Sequence, residues 1–184
     1  GANSTLVGGS GTNVLIGSGS GDVLVGGSGT TTLTAYGSGE TLTAGSGVNT
    51  MIDSASNGIY QFGSTAGSTI IQNGASTNSS ASNELDFGAG ISKENLWFLQ
   101  VGNNLQIDVI GTNKTVTVAN WFASPGNQLQ EITAGGQKLD GEVSQLVQAM
   151  ATYTAGHSGF DPTSVAQAPN DPTLQGAIST AWHA

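Results

Sequence analysis

The sequence predicts a mainly all-β fold, in which a parallel β-roll (a β-solenoid) is followed by a small antiparallel β module and short carboxyl-terminal helices. Three observations lead to this prediction. The first third of the chain repeats every nine residues, residues 84–139 alternate between apolar and polar side chains, and residues 140–184 carry short helical patterns. The 29 glycines and a charged fraction of only 8% are typical of a β protein with many turns.

The chain is expected to divide into three segments. Residues 1–75 would form the β-roll, residues 76–139 an antiparallel β module that caps it, and residues 140–184 a helical tail. At 184 residues the chain is long enough for one domain or two small ones.

The nine-residue repeat starts at Gly8, and each block is a turn rich in Gly and Ser followed by three residues of strand. The eighth position of the block is large and apolar throughout: Leu15, Leu24, Leu33, Leu42, Met51 and Tyr60, with Leu6 one block earlier. A period of nine fits neither an α-helix nor a simple hairpin, and fixed self-similarity of this kind indicates a repeat architecture. A coil with two blocks per turn satisfies it, with the eighth side chain pointing inward.

The blocks GGSGTNVLI and GSGSGDVLV resemble the nonapeptide G-G-x-G-x-D-x-U-x of RTX (haemolysin-type) proteins, where U is a large apolar residue. The resemblance covers residues 4–61. It implies a parallel β-roll in which Asp side chains and loop carbonyls hold calcium between stacked turns.

The candidate calcium ligands occupy the sixth position of each block: Ser4, Asn13, Asp22, Thr31, Glu40, Asn49 and Gly58. Blocks two apart would stack on the same side, so Asp22 and Glu40 share one edge, whereas the other edge has only neutral side chains. Calcium prefers six to eight oxygen ligands with some negative charge. We therefore expect at most one or two weak calcium sites, with Asp22 and Glu40 as ligands; solvated turn residues are the alternative interpretation.

The expected affinity of such a calcium site shows how much it can stabilise residues 1–75. At a Kd on the order of 1 mM, one site at ~1 mM calcium contributes only ~0.4 kcal/mol. Each buried apolar side chain of the repeat contributes ~1.5–3 kcal/mol. Strand pairing and apolar stacking are therefore expected to stabilise the repeats more than calcium does.

The composition excludes several functions. A net charge of −9 with three Lys and no Arg disfavours nucleic acids and anionic membranes as partners. The chain has no Cys, which excludes disulfides and thiolate metal sites, and no apolar run reaches the ~18 residues of a membrane span. The amino end lacks a signal-like region and starts almost in register with the repeat, so we expect the chain to be cut from a longer one.

The repeat decays after Asp53. Ile59, Tyr60 and Phe62 are expected to cap the open end of the roll, because an uncovered strand edge promotes aggregation. The polar run QNGASTNSSASN that follows is predicted to be a loop or flexible linker.

Residues 84–139 are predicted to form an antiparallel meander from LWFLQV, LQIDVI and TVTVA, with a further hairpin around AGG. Leu105, Ile107 and Val109 would face the core while Gln106 and Asp108 face solvent, and aromatic side chains would cover one sheet face. The run from ELDFGAG to TVTVANWF also resembles the module that follows RTX repeats in many bacterial exoproteins.

Residues 140–184 contain two helical patterns. Asp140 is the expected N-cap of a helix whose apolar stripe consists of Val143, Leu146, Val147 and Met150. Asp171 and Pro172 should start a second helix, with Leu174, Ile178 and Trp182 on one face. This tail resembles the uncleaved type I secretion signal of RTX proteins.

No catalytic residues are predicted. Asp86, Asp108 and Glu131 could be imagined as an acid-base pair, but strand alternation puts Asp108 on a polar face and nothing in the sequence marks any of them as buried. His157 and His183 have no partner cluster and are interpreted as surface residues.

These observations predict a non-catalytic carboxyl-terminal module of a larger secreted bacterial protein. It would be extracellular or at the cell surface, use a type I secretion exporter and bind calcium weakly or not at all.

The alternative is an adhesion or self-assembly module that contacts a neighbouring domain or copy through outer strands carrying Val14, Ile16, Val23 and Val25. Ice binding through threonine-rich faces is a further alternative, which these apolar residues disfavour.

Overall fold

The computed structural model describes residues 1–74 and 82–184. The predicted linker falls largely on residues 75–81 and so lies outside the described residues. The strands are β1 Thr5–Val7, β2 Asn13–Gly17, β3 Val23–Val25, β4 Thr30–Ala35, β5 Thr41–Thr43, β6 Val48–Asp53, β7 Ile59–Phe62, β8 Thr69–Asn73, β9 Glu84–Phe87, β10 Leu96–Val101, β11 Asn104–Val109, β12 Thr115–Val118, β13 Glu131–Ala134 and β14 Gln137–Leu139. The helices are α1 Val143–Gly156 and α2 Pro172–Ala181, with 3-10 turns at Lys93–Asn95, Pro125–Asn127 and Pro162–Ser164.

The strands form two seven-stranded sheets. Sheet 1 has the order β1-β3-β5-β7-β9-β13-β14, and sheet 2 the order β10-β11-β12-β8-β6-β4-β2. Both sheets are mixed, because β12 pairs parallel with β8 but antiparallel with β11, and β13 pairs parallel with β9 but antiparallel with β14.

The predicted fold class, a parallel β-roll followed by a small antiparallel module, is therefore wrong. The molecule consists of two mixed parallel and antiparallel sheets with two helices, an α/β-like arrangement. The reason is that the later strands add to the free edges of β8 and β9 and complete their backbone hydrogen bonds there. The expected cap at Ile59–Phe62 is wrong for the same reason, because β7 lies between β5 and β9.

Within the two sheets the apolar residues of the repeat meet at a spacing of 18 residues. Leu6 pairs with Leu24, Leu24 with Leu42 and Leu42 with Tyr60 in sheet 1, while Leu15, Leu33 and Met51 form the matching row in sheet 2. Ile71 extends this row at a spacing of 20 residues from Met51. The central members are fully buried in one hydrophobic cluster, which confirms them as core residues; Leu15, near the sheet edge, is only partly buried.

Glycine is required where successive turns stack on each other. A Cβ at Gly29 would overlap the carbonyl oxygen of Gly11, and a Cβ at Gly47 would overlap that of Gly29. These are backbone contacts, which cannot move aside as a flexible side chain can. The turn glycines therefore keep neighbouring strands close enough to pair.

Of the two carboxyl-terminal helices, α1 packs on β10 and α2 packs on α1. Val143, Leu146, Val147 and Met150 of α1 are buried, as the apolar stripe predicted. The N-cap is Glu142 and makes no side-chain capping hydrogen bond, so the prediction of Asp140 as N-cap is wrong. Asp171 does cap α2, since its carboxylate accepts from the N–H groups of Thr173 and Leu174.

Neither α1, α2 nor any other helix within residues 1–74 and 82–184 has both the length and the apolar character needed to span a bilayer.

A candidate cation site at one edge of the sheets

The candidate site lies in the turns that lead from sheet 2 into sheet 1. Asp22 precedes β3 and Glu40 precedes β5, and β3 and β5 are neighbours in parallel register. The structure therefore brings the two predicted ligands to one edge, and both side chains are buried.

Asp22 uses both carboxylate oxygens for backbone hydrogen bonds. Oδ1 accepts from the N–H of Ser4 at 2.8 Å and Oδ2 from the N–H of Gly19 at 2.9 Å. The hydrogen bond from Ser4 is the main reason that the pKa of Asp22 is lowered, and burial opposes it. Asp22 is thus an ionised turn residue whose oxygens are already engaged.

Glu40 is fully buried and only half satisfied. Its Oε1 accepts from the N–H of Gly37 at 3.1 Å, whereas Oε2 has no hydrogen-bond partner. Burial is the main cause that raises the pKa of Glu40, and the charges of Asp22 and Asp53 raise it further. A Cβ at Gly17 or Gly37 would lie 3.0 or 2.7 Å from Oε1, so both glycines make room for this carboxylate.

Asp53 is the residue that sequence reasoning missed. It ends β6, is fully buried, and accepts from the N–H of Ala55 through Oδ1 at 2.7 Å. Its Oδ2 has no hydrogen-bond partner and occupies the place that a Cβ at Gly58 would take. Burial raises the pKa of Asp53.

The position of Asp53 explains a gap in the repeat. Gly58 is the sixth residue of its block, where the blocks stacked beside it have Asp22 and Glu40. A carboxylate from the end of a sheet 2 strand fills the space left by the missing side chain at Gly58. Two sequence signals could have shown this: Gly at the sixth position, and Asp53 at a first position that is otherwise Gly or Ala.

Neutral amides continue the row beyond Asp53. The N–H of Gly58 donates to Oδ1 of Asn83 at 2.8 Å, and Nδ2 of Asn83 donates to Oδ1 of Asn73 at 2.8 Å. The Tyr60 hydroxyl also donates to Oδ1 of Asn73, at 3.3 Å. Burial and, after it, the charge of Asp53 raise the pKa of Tyr60.

At the opposite edge of residues 1–74, neutral side chains close the turns. The Asn49 carboxamide accepts from the N–H of Gly45 at 3.0 Å and donates to the carbonyls of Gly45 and Gly47, both at 2.9 Å. Asn13 makes the same kind of bonds in the turn of Gly9 and Gly11. These amides close their own turns and carry no charge, as expected for this edge.

The residues present fit a cation only in part. No group of three or more His, Cys, Asp or Glu side chains arranged for a metal occurs in the part of the chain that the structure describes. In the predicted pair, each oxygen of Asp22 already accepts one backbone hydrogen bond. Glu40 and Asp53 each have one buried oxygen without a partner.

The other acids noted in the sequence lie elsewhere and do not form one site. Asp86 and Glu84 both accept from the Thr133 hydroxyl, at 3.1 and 2.9 Å. Glu131 forms an ion pair with Lys138 at 3.1 Å.

The prediction that Asp108 faces solvent is wrong. It is buried, and burial raises its pKa. Its Oδ1 accepts from Nε2 of Gln106 at 2.7 Å. The 3-10 turn at Pro162–Ser164 packs against β11 and covers this face, which strand alternation by itself does not reveal.

The two histidines are exposed. His157 stacks on Tyr153 with its Nδ1 2.8 Å from the Tyr153 carbonyl oxygen, and His183 lies 3.4 Å from the Asp140 carboxylate.

A comparison of the chain with models of known protein families found no match.

Proposed function

We propose that this chain is the non-catalytic carboxyl-terminal module of a larger secreted bacterial protein, and that it supports type I secretion and folding outside the cell. The observation that carries the proposal is that residues 140–184 complete the hydrophobic core that the sheets begin. Met150, Ile178 and Trp182 are all buried.

The tail covers the apolar side chains of β10. Trp97 packs against Phe160 of the tail at a ring-centroid distance of 4.7 Å, and Phe98 against Trp182 at 6.3 Å. His183 forms an antiparallel bridge with Lys138, whose two backbone hydrogen bonds measure 2.8 and 3.0 Å. The chain therefore cannot cover β10 until residues 143–183 are available.

This order of events supports an export role. A chain is synthesised from its amino end, so the residues that cover β10 are made after β10 itself. An exporter that binds the carboxyl-terminal tail would meet a chain whose core is still incomplete. Binding to the exporter and packing against β10 would then exclude each other for residues 140–184. Folding would be completed only after export has released this segment.

The test is secretion of a reporter fused to the whole chain, compared with the same fusion ending at Asp140, in cells that express a type I exporter. Loss of export in the truncated fusion is expected. A fusion of the reporter to residues 140–184 alone should still be exported, because it keeps the tail without the sheets.

A Leu33→Ala fusion serves as the control for folding, since Leu33 is buried far from the tail in sequence. It should be exported at least as well as the parent, because it lowers stability and leaves the tail unchanged. Unchanged export after truncation at Asp140 would contradict the proposal.

A second candidate function, self-association, is favoured by the exposed edge at β1 and β2. These strands are the last in their sheets, and Val7, Val14 and Ile16 there are 67%, 66% and 52% exposed. Exposed edge strands with apolar side chains promote pairing with another chain. Sedimentation of the parent and of the Val14→Lys, Ile16→Lys double variant would test it; a parent that stays monomeric at high concentration contradicts it.

A further inference from the structure

We propose that the molecule binds a small carboxylate with an apolar body, such as an aromatic or short aliphatic acid, in a cavity between the two sheets beside Lys114. The cavity lies beyond the end of β7, whereas Asp22 and Glu40 precede β3 and β5. The binding of such a ligand does not depend on the proposed export role.

The first observation is the size and lining of the cavity, which measures about 160 Å³. Phe62 at the end of β7 and Ile91 line it from sheet 1, and Val109 and Ile110 at the end of β11 line it from sheet 2. All four side chains are buried members of the hydrophobic core, so the cavity is an apolar space that reaches into the molecule. An apolar cavity of about 150 Å³ is large enough to hold benzene.

The second observation is an ammonium group at this cavity. Lys114 lines it, and its Nζ donates to the carbonyl oxygen of Ser64, so the side chain reaches from the turn before β12 to the loop after β7. This bond uses one of three N–H donors. The ion pairs within residues 1–74 and 82–184 are Lys138 with Glu131 and His183 with Asp140, so no carboxylate of these residues neutralises Lys114.

Charge therefore selects the class of ligand. The chain has a net charge of −9, yet this lysine beside an apolar cavity has no acidic partner among the described residues. An anionic ligand supplies that partner, whereas a cationic ligand of the same shape is repelled.

The third observation is that the polar groups are positioned by the protein itself. The Thr112 hydroxyl donates to the carbonyl oxygen of Val109 at 2.6 Å and accepts from the N–H of Lys114 at 3.1 Å, which fixes the turn that carries Lys114. Asn95 also lines the cavity, and its Oδ1 accepts from the N–H and the hydroxyl of Ser92 at 2.9 and 2.8 Å. Its amide orientation is thereby set, and Nδ2 is a second donor. Fixed donors beside apolar side chains are typical of sites for small molecules.

The experiment is isothermal titration calorimetry of the purified chain at pH 7 with sodium benzoate, sodium acetate and benzylamine hydrochloride. Benzoate should bind at one site. Acetate keeps the carboxylate but lacks the ring, so it should bind at least about tenfold more weakly because less apolar surface is buried. Benzylammonium has the ring and the opposite charge, and should show no saturable binding.

Two lysine variants locate the site. Lys114→Met keeps the apolar stem and removes the charge, so it should weaken benzoate binding by about tenfold. Lys138→Met is the matched control, because Lys138 is paired with Glu131 in sheet 1, and it should bind benzoate as the parent does. Val109→Phe should fill the cavity and abolish binding; if this variant does not fold, the three ligands and the two lysine variants still decide.

Four results would overturn the proposal: no saturable binding of benzoate, equal binding of benzoate and benzylammonium, unchanged binding in Lys114→Met, or an equal loss in both lysine variants. Export plays no part in these measurements, so this proposal and the proposed export role can fail separately.

Discussion

Charged side chains are distributed differently in residues 1–74 and in residues 82–184. In the first region the acidic side chains are Asp22, Glu40 and Asp53, all of them buried, and the strands expose mainly Thr, Val and Ile. The second region contains the three lysines, both histidines and the other nine acids, of which Asp108 is buried.

The two regions are also stabilised differently. In the first, strands of three to six residues are repeated so closely that turn backbones touch, and carboxylates or amides hydrogen-bond the turns from inside. In the second, a cluster of aromatic side chains, Trp97, Phe98, Tyr153, Phe160 and Trp182, joins the sheet to the tail. The comparison indicates that close stacking of glycine turns adds to the apolar core of the repeat, whereas an aromatic cluster joins the tail to the sheet.

The largest effect is expected from truncating the aromatic cluster. Trp97→Ala should lower the free energy of unfolding by about 3–5 kcal/mol, because Trp97 is fully buried and contacts Tyr153 and Phe160. Chemical denaturation monitored by circular dichroism measures this. Tyr36→Ala is the control, since Tyr36 is 60% exposed and should change stability little; a similar loss in both variants would contradict the contrast between the regions.

The next largest effect tests the glycine contacts of the first region. Gly47→Ala should lower stability by about 1–3 kcal/mol, because its Cβ would overlap the backbone of Gly29. Gly11→Ala is the matched control at the same position of the repeat, where a Cβ meets nothing within 4 Å. If denaturation midpoints show equal changes for the two, backbone stacking does not limit this position.

The buried carboxylates predict a pH dependence in metal-free buffer. The folded-state pKa values of Glu40 and Asp53 are raised above 4.5 and 3.8, so both groups bind protons more tightly in the folded chain. Their contribution to the free energy of unfolding is therefore fully present below the unfolded-state pKa and is lost as pH rises through the folded-state pKa. Each unit of difference between the two pKa values corresponds to about 1.4 kcal/mol.

Denaturation at pH 5 and pH 7.5 measures this dependence. Asp53→Asn should reduce the loss of stability between the two values and should be the more stable chain at pH 7.5. Asp22 acts in the opposite sense, since its pKa is lowered and its contribution is lost only as pH falls through the folded pKa. A parent whose stability rises from pH 5 to pH 7.5 would show that Glu40 and Asp53 are not the dominant groups.

The smallest effect concerns the start of α2. Asp171→Ala should lower stability by about 1 kcal/mol, because it removes hydrogen bonds of 3.0 and 2.9 Å to the N–H groups of Thr173 and Leu174. Glu142→Ala at the start of α1 removes no capping hydrogen bond and should have almost no effect. Thermal unfolding of the two variants distinguishes them, and equal shifts in Tm would argue against capping as the cause.

Local patterns in the sequence predicted many elements correctly. The start of α2 after Asp171, the buried stripe from Val143 to Met150, and the inward positions of Leu24 and Leu42 depend on contacts between near neighbours or on an unbroken repeat. The candidate site was predicted in part, because the shared edge of Asp22 and Glu40 follows from the period. Asp53 was not predicted, since it reaches the site from a different position of the repeat.

The nine-residue period by itself determined which side chains point inward and which residues pair at a spacing of 18, because the period of a strand and the size of a turn allow little choice. Only the tertiary structure decided that later antiparallel strands join the same two sheets, that Pro162–Ser164 covers Asp108, and that Asp53 fills the space at Gly58. Those outcomes depend on which strand edges and spaces remain open after the chain has folded. Segments that are distant in sequence occupy these edges and spaces, so a local sequence pattern does not predict which segment will do so.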